Sequence, residues 1–416
     1  AASDVYKRQI INSLIEILNQ NGYTNLVVSK TLNKTKFNDY EKRLYTKIVY
    51  GVVENKILLD YNLQPLTKGK RIKPFVRNAL RVGVYGIDNL NLPSYYFVNE
   101  IVASIKKLDY KASTFVNALL RKYQQMPKRN LDNLSKIEWY SMKYSLPQEL
   151  TKLLYQQYQD RIVDFFLKND EVYNTYRINP LKTTIEAVKA TLEKDNILYT
   201  LEDDMILQTK TSLIHSSLFK NGKIIAQDKS SIMVGKILNP LKNDVILDAC
   251  SAPGSKAMQL ASMIDNKGKI IAMDIYPHKI QLIEDNIAKM GVTCVKTMQA
   301  DATVVHFDFL FDKILVDAPC SGLGVIRHKP DLKYQMTLEK IASIKKTQEK
   351  ILENIVQYLK PNGILVYSTC TINKEENEDM MKQFLLKHPS FKKEKEVKVL
   401  PSNKEDGFYI CRLRGI

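Results

Sequence analysis

The sequence predicts a multidomain protein: an all-α N-terminal bundle, a small α+β connector and an α/β Rossmann-like domain. Three observations predict it. Residues 1–130 carry amphipathic helical periods and no strand pattern. Beyond Tyr176-Arg177-Ile178-Asn179 short helix and strand signals mix. From Asp244 the chain alternates short apolar runs with helical periods, the rhythm of a doubly wound sheet. At 416 residues, two or three domains are expected.

In the first part, residues 1–130, Ile10, Ile11, Leu14, Ile15 and Leu18 repeat at the spacing of a core-facing helix, which Asn21-Gly22 ends. Asp39 precedes a second helix with Leu44, Ile48, Val49, Val52 and Val53 on its apolar side. Further helices are predicted over 74–84, 96–108 and 111–123. The second part, 131–235, continues as helix through Trp139, Tyr140, Met142 and Tyr144 to Pro147, and again over 150–167. That aromatic cluster reads as packing rather than base stacking. A helix over 183–192 and strand-like Ile197-Leu198-Tyr199-Thr200 then lead through Asn221-Gly222 to a helix after Gln227-Asp228. The third part, 236–416, is predicted to have strands at 245–248, 269–274, 294–299, 312–317 and 363–369. Helices are placed at 255–264, 277–290, 337–359 and 375–387, with 396–400 and 408–413 as an antiparallel edge.

Composition narrows the function classes. Hydrophobic residues make up 44% and charged residues 26%, the balance of a globular domain, and no apolar run reaches the length of a membrane span. Asp4, Lys7 and Arg8 interrupt any leader-like apolar segment, so a cytoplasmic location is expected. The cysteines at 250, 294, 320, 370 and 411 form no CxxC pair, so neither a zinc site nor a disulfide framework is predicted. Cys294 and Cys411 lie in apolar-periodic stretches and read as small core residues. The formal charge is +17, and residues 1–130 carry most of it, with 22 Lys or Arg against 9 Asp or Glu. A basic module on a nearly balanced one fits a nucleic-acid anchor on an enzyme; a solvated basic surface is the alternative.

The chemistry gathers at strand ends. In an open α/β sheet, ligands sit outside the carboxyl ends of the strands. Val245-Ile246-Leu247-Asp248 runs into Ala249, Cys250, Ser251, Ala252, Pro253, Gly254, Ser255 and Lys256. One glycine and a proline replace the glycine-rich turn that a dinucleotide pyrophosphate needs, which argues against a dehydrogenase. S-adenosylmethionine, a sulfonium without phosphates, fits a loop of carboxylates and backbone. Asp274 ends the second strand where a ribose-binding acid is expected, Asp301 follows the third, and Asp317 ends the fourth. Asp317-Ala318-Pro319-Cys320-Ser321-Gly322 and Ser368-Thr369-Cys370-Thr371 each follow an apolar run, so two thiols face one crevice.

These residues resemble a known family. Leu44-Tyr45-Thr46-Lys47-Ile48-Val49-Tyr50-Gly51-Val52, Val98-Asn99-Glu100-Ile101-Val102 and Phe115-Val116-Asn117-Ala118-Leu119-Leu120-Arg121 resemble the NusB-like RNA-binding domain that opens bacterial 16S ribosomal RNA cytosine-C5 methyltransferases. Asp-Ala-Cys-Ser-Ala-Pro-Gly-Ser-Lys at 248–256 is similar to that family's cofactor loop, except that Ser255 and Ala257 replace its usual second Gly and Thr. Asp-Ala-Pro-Cys-Ser-Gly-Leu-Gly at 317–324 is similar to its fourth motif. Tyr-Ser-Thr-Cys-Thr at 367–371, with Glu375-Glu376-Asn377-Glu378, is similar to its sixth. The resemblance implies a Rossmann-like methyltransferase using S-adenosylmethionine on 16S ribosomal RNA, with the connector contributing to RNA contact. It makes Cys370 the nucleophile, Asp317 the group that holds and activates the base, and Cys320 the residue that assists release.

A free thiol ionises near pH 8.5, so Cys370 needs a positive neighbour; Lys256, Arg327 and the bound sulfonium are the candidates. Arg327, His328 and Lys329, in the turn after the fourth motif, are expected to hold RNA phosphates as the target base turns out, or else to form an exposed basic turn. Asn117 and Arg121, at helical i, i+4 spacing, are RNA or interdomain contacts or a polar helix face. No metal is expected, and the chain is expected to be a monomer. Two alternatives stay open: the same chemistry on tRNA, and a non-catalytic RNA-binding assembly factor that keeps the fold.

Overall fold

A computed structural model describes residues 2–91, 93–166, 173–203, 205–402 and 405–416. The chain opens with α1 (Ala2–Asn19), α2 (Thr24–Lys34), α3 (Asp39–Glu54), α4 (Lys56–Thr67), α5 (Pro74–Asn89), α6 (Ser94–Lys106), α7 (Tyr110–Gln125), α8 (Lys136–Tyr144) and α9 (Gln148–Tyr158). A mixed module follows: β1 (Asn174–Ile178), α10 (Ile185–Lys194), β2 (Thr200–Glu202), β3 (Ile206–Thr209), α11 (Ser217–Lys220), β4 (Ile224–Ala226) and α12 (Lys229–Leu238). Next come β5 (Val245–Asp248), α13 (Ser255–Met263), β6 (Lys269–Asp274), α14 (Pro277–Met290), β7 (Val295–Gln299) and β8 (Phe311–Asp317). The chain ends with α15 (Leu332–Gln335), α16 (Leu338–Ile355), β9 (Leu359–Thr369), α17 (Glu378–Lys387), β10 (Phe391–Val399) and β11 (Phe408–Gly415).

The chain folds into two compact units. One comprises Ala1–Ile162 together with Ile326–Leu338; the other comprises Val163–Val325 and Glu339–Ile416. The sequence boundaries at 130 and 235 thus fall inside units. The second unit takes in the mixed module and gives up thirteen residues from the middle of the third part.

In the helical unit, Ile10, Ile11, Leu14, Tyr45, Ile48, Val49, Leu80 and Ile101 form a fully buried core. Asn38 caps α3 in a reciprocal box with Glu41, and Pro74 supplies the fixed φ of a first helical turn at the start of α5. Helices α2 and α4 escape the sequence reading. α4 starts at Lys56, one residue after α3 ends, so no loop signal separates the two. The helix predicted over 150–167 is shorter: α9 stops at Tyr158 and a 3₁₀ turn runs over Gln159–Phe166, while Leu167 lies outside the described residues.

The second unit holds two sheets. The smaller runs β2-β3-β1-β4, antiparallel throughout. Sequence reading placed one strand here, over 197–200, but β2 begins only at Thr200; the short runs of β1, β3 and β4 carry too little alternation to separate from loop. The larger sheet runs β10-β11-β9-β8-β5-β6-β7. Strands β9, β8, β5, β6 and β7 are parallel, and β11 pairs antiparallel with both β9 and β10. Its central strands read as near-continuous apolar runs because helices cover both faces, as in Leu247, Ile271, Ile314 and Leu365 on one or the other buried cluster. Several boundaries differ: β9 starts at Leu359 instead of 363, β10 spans Phe391–Val399 instead of 396–400, and α17 starts at Glu378 instead of 375. The helix predicted over 337–359 ends at Ile355, and Leu359 already pairs with Phe311 as the first residue of β9. Pro361 explains it, since the residue before a proline is driven from helical to extended backbone.

Candidate active site

Strand order reverses between β5 and β8, whose neighbours lead away in opposite directions. The crevice outside the carboxyl ends at such a switch point is where a doubly wound sheet binds ligands. Asp248, Asp317 and Thr369 end β5, β8 and β9, so parallel register brings the sequence-predicted loops to one edge.

The loop between β5 and α13 is tightly built. Gly254, at φ +96°, turns the chain into α13, in a backbone region that favours glycine. Ser251 donates its N–H to Met273 O at 2.8 Å and its hydroxyl to Asp248 Oδ2 at 2.8 Å. Ala252 N donates to Asp274 Oδ2 at 3.3 Å, which ties the loop to the end of β6. Asp248 is wholly buried, and burial pushes its carboxyl up to about 7 against the opposing Ser251 bond. Its Oδ1 has no hydrogen-bond partner among the described residues. Asp301 accepts from the Thr303 N–H and hydroxyl through Oδ1. Burial also drives the Cys250 thiol well above its ordinary range, with Asp248 adding to it, so that cysteine stays protonated. An orphaned buried carboxylate oxygen, a glycine-opened loop and an acid at the next strand end suit a neutral-to-cationic cofactor bearing hydroxyls.

Asp317 is gripped from two sides. Lys256 Nζ donates to its Oδ2 at 2.7 Å, and Ser368 Oγ donates to its Oδ1 at 2.8 Å. Burial opposes the charge on Lys256, but Asp317, with Asp248 and Cys370 acting in the same direction, holds the ammonium above its ordinary pKa. Of the two side chains weighed for Cys370, Lys256 belongs to the same unit and is electrostatically coupled to it, whereas Arg327 belongs to the helical unit.

Cys320 Sγ and Cys370 Sγ are 3.3 Å apart, though fifty residues separate them in sequence. Hydrogen bonding with Cys370, burial and the charge of Glu376 all raise the Cys320 pKa, which favours the protonated thiol at Cys320. Glu376 locks the two loops together: it accepts from Ser321 N at 2.8 Å, Ser321 Oγ at 2.6 Å, Asn373 Nδ2 at 2.9 Å and Gln348 Nε2 at 3.2 Å. Burial keeps its carboxyl above the usual range even against these bonds. Gly324 N donates to Cys370 O at 3.0 Å, and a Cβ there would sit 2.1 Å from Gly407 O, so only glycine allows that approach.

Three contributors were not read from sequence: Ser368, the grip of Lys256 on Asp317, and Arg177. Arg177, on β1, is fully buried; its Nε donates to Gln227 Oε1 at 2.8 Å and its Nη2 reaches Ser255 O at 3.4 Å. The mixed module thereby supports the first turn of α13. Ser368 lay inside the sixth motif, but only the pairing of β8 with β9 shows what it touches.

The basic residues belong to the helical unit. Arg327 Nε donates to His328 Nε2 at 3.1 Å, and both belong with Lys329 to the segment that packs in the helical unit. Asn117 and Arg121 bond to each other along the exposed face of α7, at 3.0 Å. Trp139, Tyr140 and Tyr144 pack edge-on and stacked at 5.3 to 6.3 Å, with Tyr140 buried. Among the described residues no three His, Cys, Asp or Glu side chains form a metal-binding group, and no helix is long and apolar enough to cross a membrane.

A Rossmann-like sheet with this pair of thiols, fronted by a helical domain, defines a methyltransferase with a NusB-type domain. Residues 235–414 match the model of the 16S rRNA methyltransferase RsmB/F family, and residues 3–125 match that of the NusB family. The chain is 31% identical to the probable ribosomal RNA small subunit methyltransferase B of Bacillus subtilis, over 97% of each chain. It is 35% identical to a tRNA (cytosine(49)-C(5))-methyltransferase of Pyrococcus abyssi, over 53% of this chain and 72% of that one. The crystal structure of PH0851 superposes with a TM-score of 0.86 at 27% identity, covering 99% of this chain and 98% of that one. The chain belongs to the ribosomal RNA small subunit methyltransferase B family and is an RNA cytosine-C5 methyltransferase.

Proposed function

We propose that the protein methylates C5 of a cytosine in 16S ribosomal RNA, in the cytoplasm, by way of a covalent bond from Cys370 to C6 of the base. The observation that carries this reading is the 3.3 Å Cys320–Cys370 pair beside an Asp317 oriented by Lys256 and Ser368. Cytosine C5 is a poor nucleophile, and adding a thiolate at C6 gives it enamine character. When bound, S-adenosylmethionine supplies an electrophilic methyl group. Residues 249–256 would hold it together with Asp274, Asp301 and Asp317.

The chain's own groups divide the work. Cys370, as its thiolate, forms the C6–S bond as the C5–C6 double bond opens toward C5. Asp317, fixed by two hydrogen bonds, faces the N3/N4 edge and favours protonation at N3 as the adduct forms. Once C5 is methylated, its proton passes to solvent, the C–H electron pair re-forms the C5–C6 double bond, and Cys370 leaves C6 as a thiolate. Cys320 assists that release by hydrogen bonding to the departing sulfur. The basic residues 1–130 anchor the RNA, with Asn117 and Arg121 on α7 and Arg327, His328 and Lys329 as phosphate contacts; residues 131–235 link this anchor to catalytic residues 236–416. The protein works as a monomer.

A denaturing gel of the enzyme with unmethylated small-subunit rRNA and S-adenosylmethionine tests this. Cys320→Ala is expected to leave a slow-migrating protein–RNA adduct, and Cys370→Ala none. The reverse pattern exchanges the two roles. Methyl transfer to tRNA but not rRNA favours the other substrate, a reading that the similarity to the archaeal tRNA enzyme keeps in view. No transfer to either RNA by the wild type, with cofactor still bound, identifies a non-catalytic assembly factor.

A further inference from the structure

Ser321–Val325 alone separate Cys320 from Ile326–Leu338, the segment that packs as part of the helical unit. Its side chains complete helix ends. The first N–H groups and last carbonyls of any helix lack intrahelical partners. Helix α2 has Tyr23 at its N-cap and no side-chain cap, and Thr24 N donates instead to Asp331 Oδ1 at 3.1 Å. An acid there also suits the positive end of the helix dipole. Lys333 Nζ donates to Glu54 O at 2.7 Å and to Tyr144 O at 3.1 Å, the last residues of α3 and α8. Tyr334 donates its hydroxyl to Val53 O at 2.7 Å, packs against the helical core and lies 4.6 Å below Lys56 Nζ.

Asp331 is 1% exposed and Lys333 3% exposed. A passing surface loop does not bury an acid and a lysine, because burying charge is costly unless each group is paired. These two are matched to opposite helix ends. At its other end the Cys320 loop is fixed by Glu376 on Ser321 and by the Gly324 N–H on Cys370 O.

We propose that Asp331, Lys333 and Tyr334 are positioning residues that anchor the far end of the Cys320 loop in the helical unit, so that what the helices bind bears on how Cys320 is held. The turnover consequence rests on the function proposed above; the anchoring does not.

The test uses the full chain with Lys333→Met, Lys333→Arg and Tyr334→Phe, read by hydrogen exchange and by turnover. Lys333→Met is expected to speed exchange several-fold in peptides covering both 326–338 and 318–325, while β5 and β8 stay protected. It is also expected to lower kcat on rRNA on the order of tenfold with KM for S-adenosylmethionine unchanged, since small misplacements of a reacting group are costly. Lys333→Arg restores part of both. Tyr334→Phe, which keeps the ring, gives a smaller rise confined to the same two peptides, and it decides the matter if Lys333→Met fails to fold. Freed exchange over 326–338 with none over 318–325, or no change in either, overturns the proposal. A wild type without methyl transfer removes the proposed function and leaves the exchange result to judge the anchor.

Discussion

Lys256 and Asp248 show how single residues set the chemistry. Lys256 is buried, holds Asp317 at 2.7 Å and is felt by Cys370. Lys256→Met therefore removes the positive charge from both groups at once. We expect kcat to fall by roughly 10²–10³, the usual loss of a preorganised electrostatic partner. Its rate should also rise at higher pH than in wild type, because thiolate formation loses cationic help; an unchanged pH–rate profile would remove Lys256 from that role. Asp248 makes a separate prediction. Its folded pKa of about 7 lies above the ordinary carboxyl value. A raised acid favours the fold below its unfolded pKa and loses that contribution as pH rises through the folded one. Cofactor-free wild type and Asp248→Asn should thus have similar urea midpoints near pH 4, with the variant ahead by up to about 4 kcal/mol above pH 7. Equal midpoints throughout would mean that the carboxyl is not protonated in the fold.

Elements matter here chiefly as holders of loop ends. The turn before α17 carries Glu376, whose carboxylate takes four donors from three segments. Glu376→Ala leaves buried donors unpaired, so a loss of about 3 kcal/mol is expected by calorimetry, along with reduced turnover. Gly324→Ala acts more locally, since its Cβ meets Gly407 O and Cys370 O. It should slow adduct formation while cofactor binding stays intact, as isothermal titration would show. Much of this level was legible. Strands β5, β6 and β8, helices α13 and α14 and both thiol loops stand where apolar runs and turn residues place them. Glu376 was visible as part of a motif, but its partners Ser321, Gln348 and Asn373 come from separate stretches of chain, and no local pattern encodes such a meeting.

At the scale of the whole molecule, charge and connectivity matter most. Residues 1–130 hold a surplus of thirteen positive charges. If they track RNA phosphates, affinity falls steeply with salt, and each phosphate-contacting cation that is neutralised lowers the slope by about one. Arg121→Gln is expected to do so in a filter-binding titration; a slope equal to that of wild type would leave Arg121 as a solvated helix face. Connectivity was not legible in this way. The sequence reads Arg327–Asp331 as a loop within the catalytic part, yet residues 326–338 fold with the helical unit.

The sequence by itself determined the class of fold, the order of its parts, the loops that carry the chemistry and the family they belong to. Those properties rest on local period, turn residues and contiguous motifs. Only the tertiary structure decided that the two thiols meet at 3.3 Å, that Lys256 and Ser368 grip Asp317, that Arg177 supports α13 and that Asp331 and Lys333 close helix ends. Each of these joins residues far apart in the chain. Buried polar groups must find partners wherever the packed fold brings them, and sequence spacing does not specify which partner that is.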